Sequence, residues 1–377
     1  MVPARGASMK PKVALNGRFS RAHHPTGTQI ASFHLFDAIV RKPREVDLVV
    51  FADPEYSGVR EWATLPGAQL IPTPFRKWSR ARCQIWEQLF FNDAALRLGC
   101  RVGHHPMNTS PANPGEVKSI VTLHDLNFLI HPEWYRALFR LAYRWVALPG
   151  LHRASRVVVI SQYIRDQVKQ HLNIGEPRLK VIPDGLPPLA EAEPVNEPSP
   201  YIFCVGSYQP HKNLARLIQA YQKLRVENPA LKLKIAGMPE KRFQQDRELD
   251  RLLETPGVER LGYLTPEQLS ANYRGASVFC FPSLEEGFGL PILEAMSVGV
   301  VVVTSDASCM PETAGDAAIF VDPRSVDDMA LGLRTALHLD PRAKEKLIQK
   351  GRDRARLFCW GVVALQYLDL YQEVLSE

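Results

Sequence analysis

The residues best suited to chemistry lie between Ser283 and Met296, where the chain reads SLEEGFGLPILEAM. Glu286 and Glu294 stand eight positions apart around a glycine-rich turn. Pro291 stands where a helix should begin, because its fixed φ and missing N–H suit a first helical turn. Glu286 then falls in the preceding loop and Glu294 near the first turn. Gly287 and Gly289 let the backbone approach a ligand closely, and the unpaired N–H groups at the positive end of the helix dipole can receive an anion. A carboxylate cannot hold phosphate, so both glutamates must face hydroxyl groups. The economical arrangement puts a sugar beside Glu286, a ribose beside Glu294 and a diphosphate between them over the helix start. Two plainer readings compete: an ordinary capped helix in a surface loop, and a dinucleotide fingerprint, which GFGLPI fails at Ile292 where Gly or Ala is required.

The elements that must carry this segment are short β-branched runs leading into helical patterns. VAL at 13–15, LVVF at 48–51, SIVTL at 119–123 and VVVI at 157–160 form one series. YIFCV at 201–205, LKLKIA at 231–236, VFCF at 278–281, VVVVT at 300–304 and AIFV at 318–321 form a second. Such runs predict two parallel, helix-covered sheets, an α/β chain of two Rossmann-like domains facing across a cleft. The proline-rich stretch 183–200 between them has no period and reads as a linker. Polar residues then gather at strand ends: Gly27 before a helix of period Ala31, Leu35, Ala38 and Ile39, His124 and Asp125 after the third run, Ser161 after the fourth, and Lys212 and Glu286 on the second domain.

The 377 residues suffice for two domains, and 45% apolar with 23% charged residues is a globular composition. No run reaches the ~20 apolar residues of a membrane span, and the first residues lack a secretion-type apolar stretch. Six scattered cysteines without metal-ligand spacing read as reduced thiols, which predicts a cytoplasmic protein. The net charge of +6 hides a split: residues 1–190 hold 25 Lys+Arg against 14 Asp+Glu, and residues 191–377 hold 21 against 26. A basic first half suits an anionic acceptor or an anionic membrane surface. No nucleic-acid motif accompanies the charge.

Together VGSYQPHKN at 205–213, EGFGLPILEA at 286–295, PETAGDAAIFVDP at 311–323, VVVISQYIRD at 157–166, VIPDG at 181–185 and the TGTQ loop resemble the retaining nucleotide-sugar glycosyltransferases of family four. The resemblance implies the GT-B fold, with an acceptor domain at 1–185, a linker at 186–200, a nucleotide-sugar domain at 201–358 and a final helix, 359–377, crossing back to the first domain. It implies that Glu286 contacts the donor sugar, Glu294 the ribose and Lys212 the diphosphate, helped by the amides of Phe288, Gly289 and Leu290 and by Gly27. His124 matches the active-site histidine, Ser161 the family serine at that position, and Gly262 a loop flanking the base. Ser207 stands where many relatives carry a diphosphate-binding arginine, and His211 or Arg18 could replace it. The resemblance further implies retention by front-face attack, with a donor phosphate oxygen taking the acceptor proton and neither metal nor cofactor. Mannose from GDP-mannose is the expected donor, with UDP-glucose the alternative.

Each assignment has a duller rival. Lys212 could be a solvated lysine, His124 a satisfied partner of Asp125, and Ser161 only a helix cap. His23-His24 and His104-His105 read as loop residues. For the acceptor, Arg136, Arg140 and Arg144 recur every four residues and share one helical face. FRKWSRARCQIW at 75–86 interleaves Arg76, Lys77, Arg80 and Arg82 with Phe75, Trp78 and Trp86, a mixture suited to a lipid interface. These features point to a lipid-linked or oligosaccharide acceptor in surface-polysaccharide assembly, met at the inner membrane face. An oxidoreductase would need a glycine fingerprint after an early strand, which HPTGTQ does not provide, and a non-catalytic sugar-nucleotide sensor is the remaining alternative.

Overall fold

The computed structural model describes residues 10–23, 25–135, 137–238 and 247–377. Seven strands form the first sheet: β1 (Lys12–Gly17), β2 (Asp47–Ala52), β3 (Ala68–Pro72), β4 (Cys100–His105), β5 (Lys118–Leu123), β6 (Arg156–Val159) and β7 (Leu179–Val181). Six form the second: β8 (Tyr201–Val205), β9 (Lys232–Ala236), β10 (Val258–Gly262), β11 (Val278–Phe281), β12 (Val302–Ser305) and β13 (Ile319–Val321). Their orders are β3-β2-β1-β4-β5-β6-β7 and β10-β9-β8-β11-β12-β13, and every pairing is parallel. Parallel strands must be covered on both faces, which explains the unbroken burial of runs such as Val13–Gly17. Strand order reverses between β1 and β4 in one sheet and between β8 and β11 in the other. Such switch points open a crevice at the strands' carboxyl ends, where ligands bind in this architecture.

Four strands, β3, β4, β7 and β10, lie outside the runs expected from sequence. The largest correction concerns His104 and His105, which sit wholly buried on β4 and not in a loop. The core accepts His104 because its ring is bonded on both sides, to the Tyr371 hydroxyl at 2.6 Å and to Thr122 Oγ1 at 2.9 Å, while it stacks on Tyr367. Burial pushes its pKa well down and keeps it neutral.

Both tyrosines belong to the last helix, Trp360–Ser376, which lies on the first sheet and the helix Gly27–Arg41. Lys118 Nζ donates to the Val374 carbonyl at 3.0 Å and Arg156 to Glu373 at 2.8 Å. At the crossing point Gly185 leaves room for Trp360, since a Cβ there would meet the indole at 2.5 Å.

The lobes also meet at the start of the helix Gln162–Leu172. The N–H groups of Gln162 and Tyr163 donate to the Glu312 carboxylate at 2.9 and 3.2 Å, so an acidic side chain of the second lobe occupies a helix N-terminus of the first.

Candidate active site

The second switch point is built by two loops. After β8 the chain turns at Gly206 and makes a 3-10 turn, Pro210–Lys212, before the helix Leu214–Glu227. Asn213, at φ +58°, donates from Nδ2 to the carbonyls of Pro282 (3.0 Å) and Pro323 (2.6 Å), which ties this loop to those after β11 and β13. After β11 the loop Pro282–Gly289 leads into the helix Leu290–Val298. That helix begins one residue before Pro291, because Gly289 takes φ +88° and turns the chain at its N-cap. Among the described residues the amides of Phe288, Gly289 and Leu290 have no acceptor. They form an open cluster of donors at a helix start.

Lys212 and Glu286 face each other across this crevice, with Nζ 2.5 Å from Oε1 and both side chains mostly buried. The Glu286 backbone is fixed by Ser308, whose Oγ accepts from the Glu286 N–H at 3.0 Å and donates to its carbonyl at 2.8 Å. Glu294, one turn into the helix, accepts from the buried Tyr273 hydroxyl at 2.7 Å. Burial pushes its carboxyl pKa up, and the Tyr273 bond offsets part of that rise.

Gly287 is a point of close backbone approach between the lobes. A Cβ there would stand 1.8 Å from the His124 carbonyl oxygen, so the glycine faces protein backbone and not the ligand its sequence position suggested. Ser161 Oγ donates to the Gly287 carbonyl at 2.8 Å while accepting from the Ile164 N–H as a helix cap. Its hydroxyl is therefore engaged by the donor loop itself.

His124 pairs with Asp184 and not with adjacent Asp125: Nδ1 lies 3.6 Å from Asp184 Oδ2, and Nε2–H donates to the Pro106 carbonyl at 2.9 Å. Burial alone would lower its pKa, but Asp184 and the Pro106 carbonyl together raise it. Both ring nitrogens thus face acceptors of the protein itself. Asp184, within VIPDG, is a site residue that sequence reasoning missed. Its signal was its place three residues beyond β7.

Two further side chains were missed. Glu285 is buried beside Tyr163 and His131 of the first lobe, with His131 Nε2 at 3.8 Å, and burial pushes its pKa up despite Tyr163 and His131. Trp134 stacks on His131 at 3.9 Å and leans on His211 of the second lobe at 5.5 Å. The segment around HPEW thus lies against the donor loop.

Other expected residues are more dispersed. Gly27 opens its helix in an exposed position with nothing near its missing Cβ. Gly262 ends β10 at φ +68°, where its carbonyl accepts from the Gly237 N–H at 2.8 Å and the space around it is open. Arg76 is partly engaged by the Glu55 carbonyl and His23, whereas Lys77 and Arg80 are exposed. Arg140 and Arg144 lie on the helix Ala137–Arg153. Arg136 and His24 lie outside the described residues. Arg18 belongs to the other lobe's switch point. The aromatic residues of the 75–86 stretch do not form a lipid interface: Phe75 is buried, and Trp78 and Trp86 pack against it, because they continue the hydrophobic cluster of Phe51 and Phe91.

Comparison with known proteins agrees with this geometry. The model of Glycosyltransferase Family 4 matches residues 26–188, and that of Glycosyl transferases group 1 matches residues 188–354. The O-antigen chain mannosyltransferase B of Escherichia coli is 32% identical over 68% of this chain and 70% of its own length. The GDP-mannose:cellobiosyl-diphosphopolyprenol alpha-mannosyltransferase of Komagataeibacter xylinus is 30% identical over 60% of this chain and 58% of its own length. Among solved structures, the sucrose-phosphate synthase of Thermosynechococcus elongatus superposes with a TM-score of 0.76 over 97% of this chain and all of that one; at 21% identity this shows the shared GT-B fold. The chain belongs to the group 1 glycosyl transferases of glycosyltransferase family 4, and is a glycosyltransferase of GT-B fold.

Proposed function

We propose that the protein transfers a mannosyl residue from GDP-mannose, with retention of configuration, to a lipid-linked oligosaccharide in surface-polysaccharide assembly. The observation that carries this reading is the Lys212–Glu286 pair beside the open amides of residues 288–290. As the sugar–phosphate bond breaks, charge grows on the diphosphate, and Lys212 with the helix start supplies the compensating positive field without a metal. Glu286 accepts from a sugar hydroxyl and Glu294 from the ribose. The acceptor hydroxyl attacks the anomeric carbon on the face the diphosphate leaves, and a donor phosphate oxygen takes its proton. His124 acts by position: its carbonyl seats Gly287 and so sets the height of the donor loop over the cleft floor. Ser161 holds the same loop, and Gly27, Phe288, Gly289 and Leu290 face the diphosphate while Gly262 flanks the base.

Mannose and the lipid-linked acceptor are supported by the two mannosyltransferases to which the chain is similar. Among the described residues no helix is long and apolar enough to cross a membrane. The protein is proposed to meet its acceptor as a peripheral protein at the cytoplasmic membrane face, using the basic first lobe. Nucleotide release from GDP-mannose and from UDP-glucose, with and without acceptor, tests the reading. Acceptor-dependent GDP release with an α-linked product supports it, and release indifferent to acceptor or confined to UDP-glucose overturns it.

A further inference from the structure

The first sheet has its own reversal of strand order, between β1 and β4, and of the residues assigned to the donor only Gly27 lies on the chain leaving β1. Arg18 follows β1 directly. Its guanidinium donates to Thr109 Oγ1 at 2.8 Å and to Gln84, and lies 3.6 Å from the Glu87 carboxylate. Glu87 is 1% exposed and also accepts from Asn16 Nδ2 (2.7 Å), Gln84 Nε2 (2.7 Å) and Thr109 Oγ1 (2.6 Å). Burial alone would raise its pKa, yet Arg18, His105 and Thr109 hold it below the usual carboxylate range. A buried carboxylate held this firmly fixes the arginine fork above it, and Arg18 keeps 13% of its side chain exposed.

The position is next to the chemistry. Thr109 is adjacent to Asn108, whose Oδ1 accepts the His124 backbone N–H at 2.7 Å, directly beneath the donor loop. Further cationic side chains lie close by, with Asp53 and Glu55 beside Lys77. The turn Arg18–Arg21 packs on the turn Phe75–Lys77, which brings Arg76 and Lys77 alongside. The nearby Asp53 is buried and occupied with the backbone N–H groups of Glu55 and Arg76. A pre-positioned, planar guanidinium with further cationic side chains close by matches phosphate geometry.

We propose that Arg18, held by Glu87 and Thr109, receives a phosphate or diphosphate group carried by the acceptor. The inference rests on the glycosyl-transfer reading above. The test compares a short-chain alkyl-diphosphate oligosaccharide with the same oligosaccharide on a neutral alkyl group, using wild type, Arg18→Gln and Arg18→Lys. Direct titration of the diphosphate compound should show binding weakened roughly ten- to a hundredfold in Arg18→Gln and less in Arg18→Lys. In transfer assays the preference for charged over neutral acceptor should collapse by a similar factor, with KM for the donor unchanged. Failure of the wild type to bind the diphosphate compound, equal losses with both acceptors, or a loss confined to donor KM would each overturn the proposal. The titration needs no turnover, so it stands apart from failure of the transfer reading. Melting curves confirm that the variants are folded, and Arg18→Lys serves if Arg18→Gln is not.

Discussion

Lys212 Nζ and Glu286 Oε1 are 2.5 Å apart although 74 positions separate them in the chain, and the two ends of the bond come from the two loops that flank the β8/β11 reversal. The pair pre-forms the site: each side chain is held extended by the other until a donor arrives, when Lys212 can turn part of its charge to the diphosphate and Glu286 to a hydroxyl. Removing one member of a buried pair leaves the other uncompensated, at a cost of about 3–5 kcal/mol in well-buried cases. At 17% and 14% exposure this pair should sit toward the lower end of that range.

Lys212→Ala should therefore lose roughly a hundredfold or more in kcat and also melt earlier. Lys212→Ala/Glu286→Gln should recover part of the melting temperature but none of the activity. Thermal melting and nucleotide-release assays on the two single variants and the double variant check this. A double variant no more stable than the less stable single variant would show that the pair is not coupled.

Gly287→Ala tests the contact between the lobes. The added methyl would stand 1.8 Å from the His124 carbonyl, a distance no real contact shows, so the lobes must part. Each lobe keeps its own core, since Gly287 lies in a loop between them. The expected outcome is a nearly unchanged melting curve, a larger radius of gyration by solution scattering and loss of most transfer. Full activity would mean that the lobes do not need this approach for catalysis.

Two buried histidines should titrate in opposite directions. The folded pKa of His124 is raised above 6.5 by Asp184, so its contribution to stability is fully present below about pH 6.5 and is lost as pH rises through the folded value. The pKa of His104 is driven well below 6.5 by burial, so its contribution is present above about pH 6.5 and is lost as pH falls toward the folded value. NMR titration of the ring protons should resolve both. Asp184→Asn should lower the His124 pKa and destabilise the protein more at about pH 6 than at about pH 8. An equal loss at both pH values would remove Asp184 as the cause of the shift.

The parts of the fold legible in sequence were those where one physical signal dominates. Central strands such as VVVI and VFCF read cleanly because burial on both faces demands continuous apolar runs. β3 and β10 did not, since AQLIP is half exposed at a sheet edge and VERLG carries charges that pair outward. β4 was hidden by His104 and His105, whose partners Tyr371 and Glu87 lie 267 and 18 positions away in the chain. Glu286, Glu294 and Lys212 could be singled out by type and spacing. Their pairing was not, because each was matched to a ligand group and not to another side chain. Asp184 and Glu87 escaped for the same reason: a carboxylate that positions another residue carries no local motif.

The proposed membrane contact falls on two helix faces and not on the aromatic side chains Phe75, Trp78 and Trp86. Ile85, Leu89 and Phe90 are exposed where the helix Arg80–Leu89 ends, and Leu141 and Trp145 are exposed on the helix Ala137–Arg153. Residues four apart share a helical face, so each helix presents an apolar pair, and Arg82 and Arg144 are exposed beside them. Both helices are moored by their carboxyl ends to one segment: Gln88 donates to the Ser110 carbonyl at 2.7 Å and Arg153 to the Ala112 carbonyl at 2.6 Å. Exposed Trp and Leu beside arginine is the composition of an anionic lipid interface. Replacing Leu89 and Phe90 with Ser and Trp145 with Ala should weaken sedimentation with anionic vesicles by roughly tenfold while leaving nucleotide-induced thermal shifts intact. Arg140→Ala/Arg144→Ala should instead remove most of the salt dependence of that binding, because screened charge attraction is what those side chains supply. Undiminished vesicle binding in both sets would move the membrane contact away from these helices.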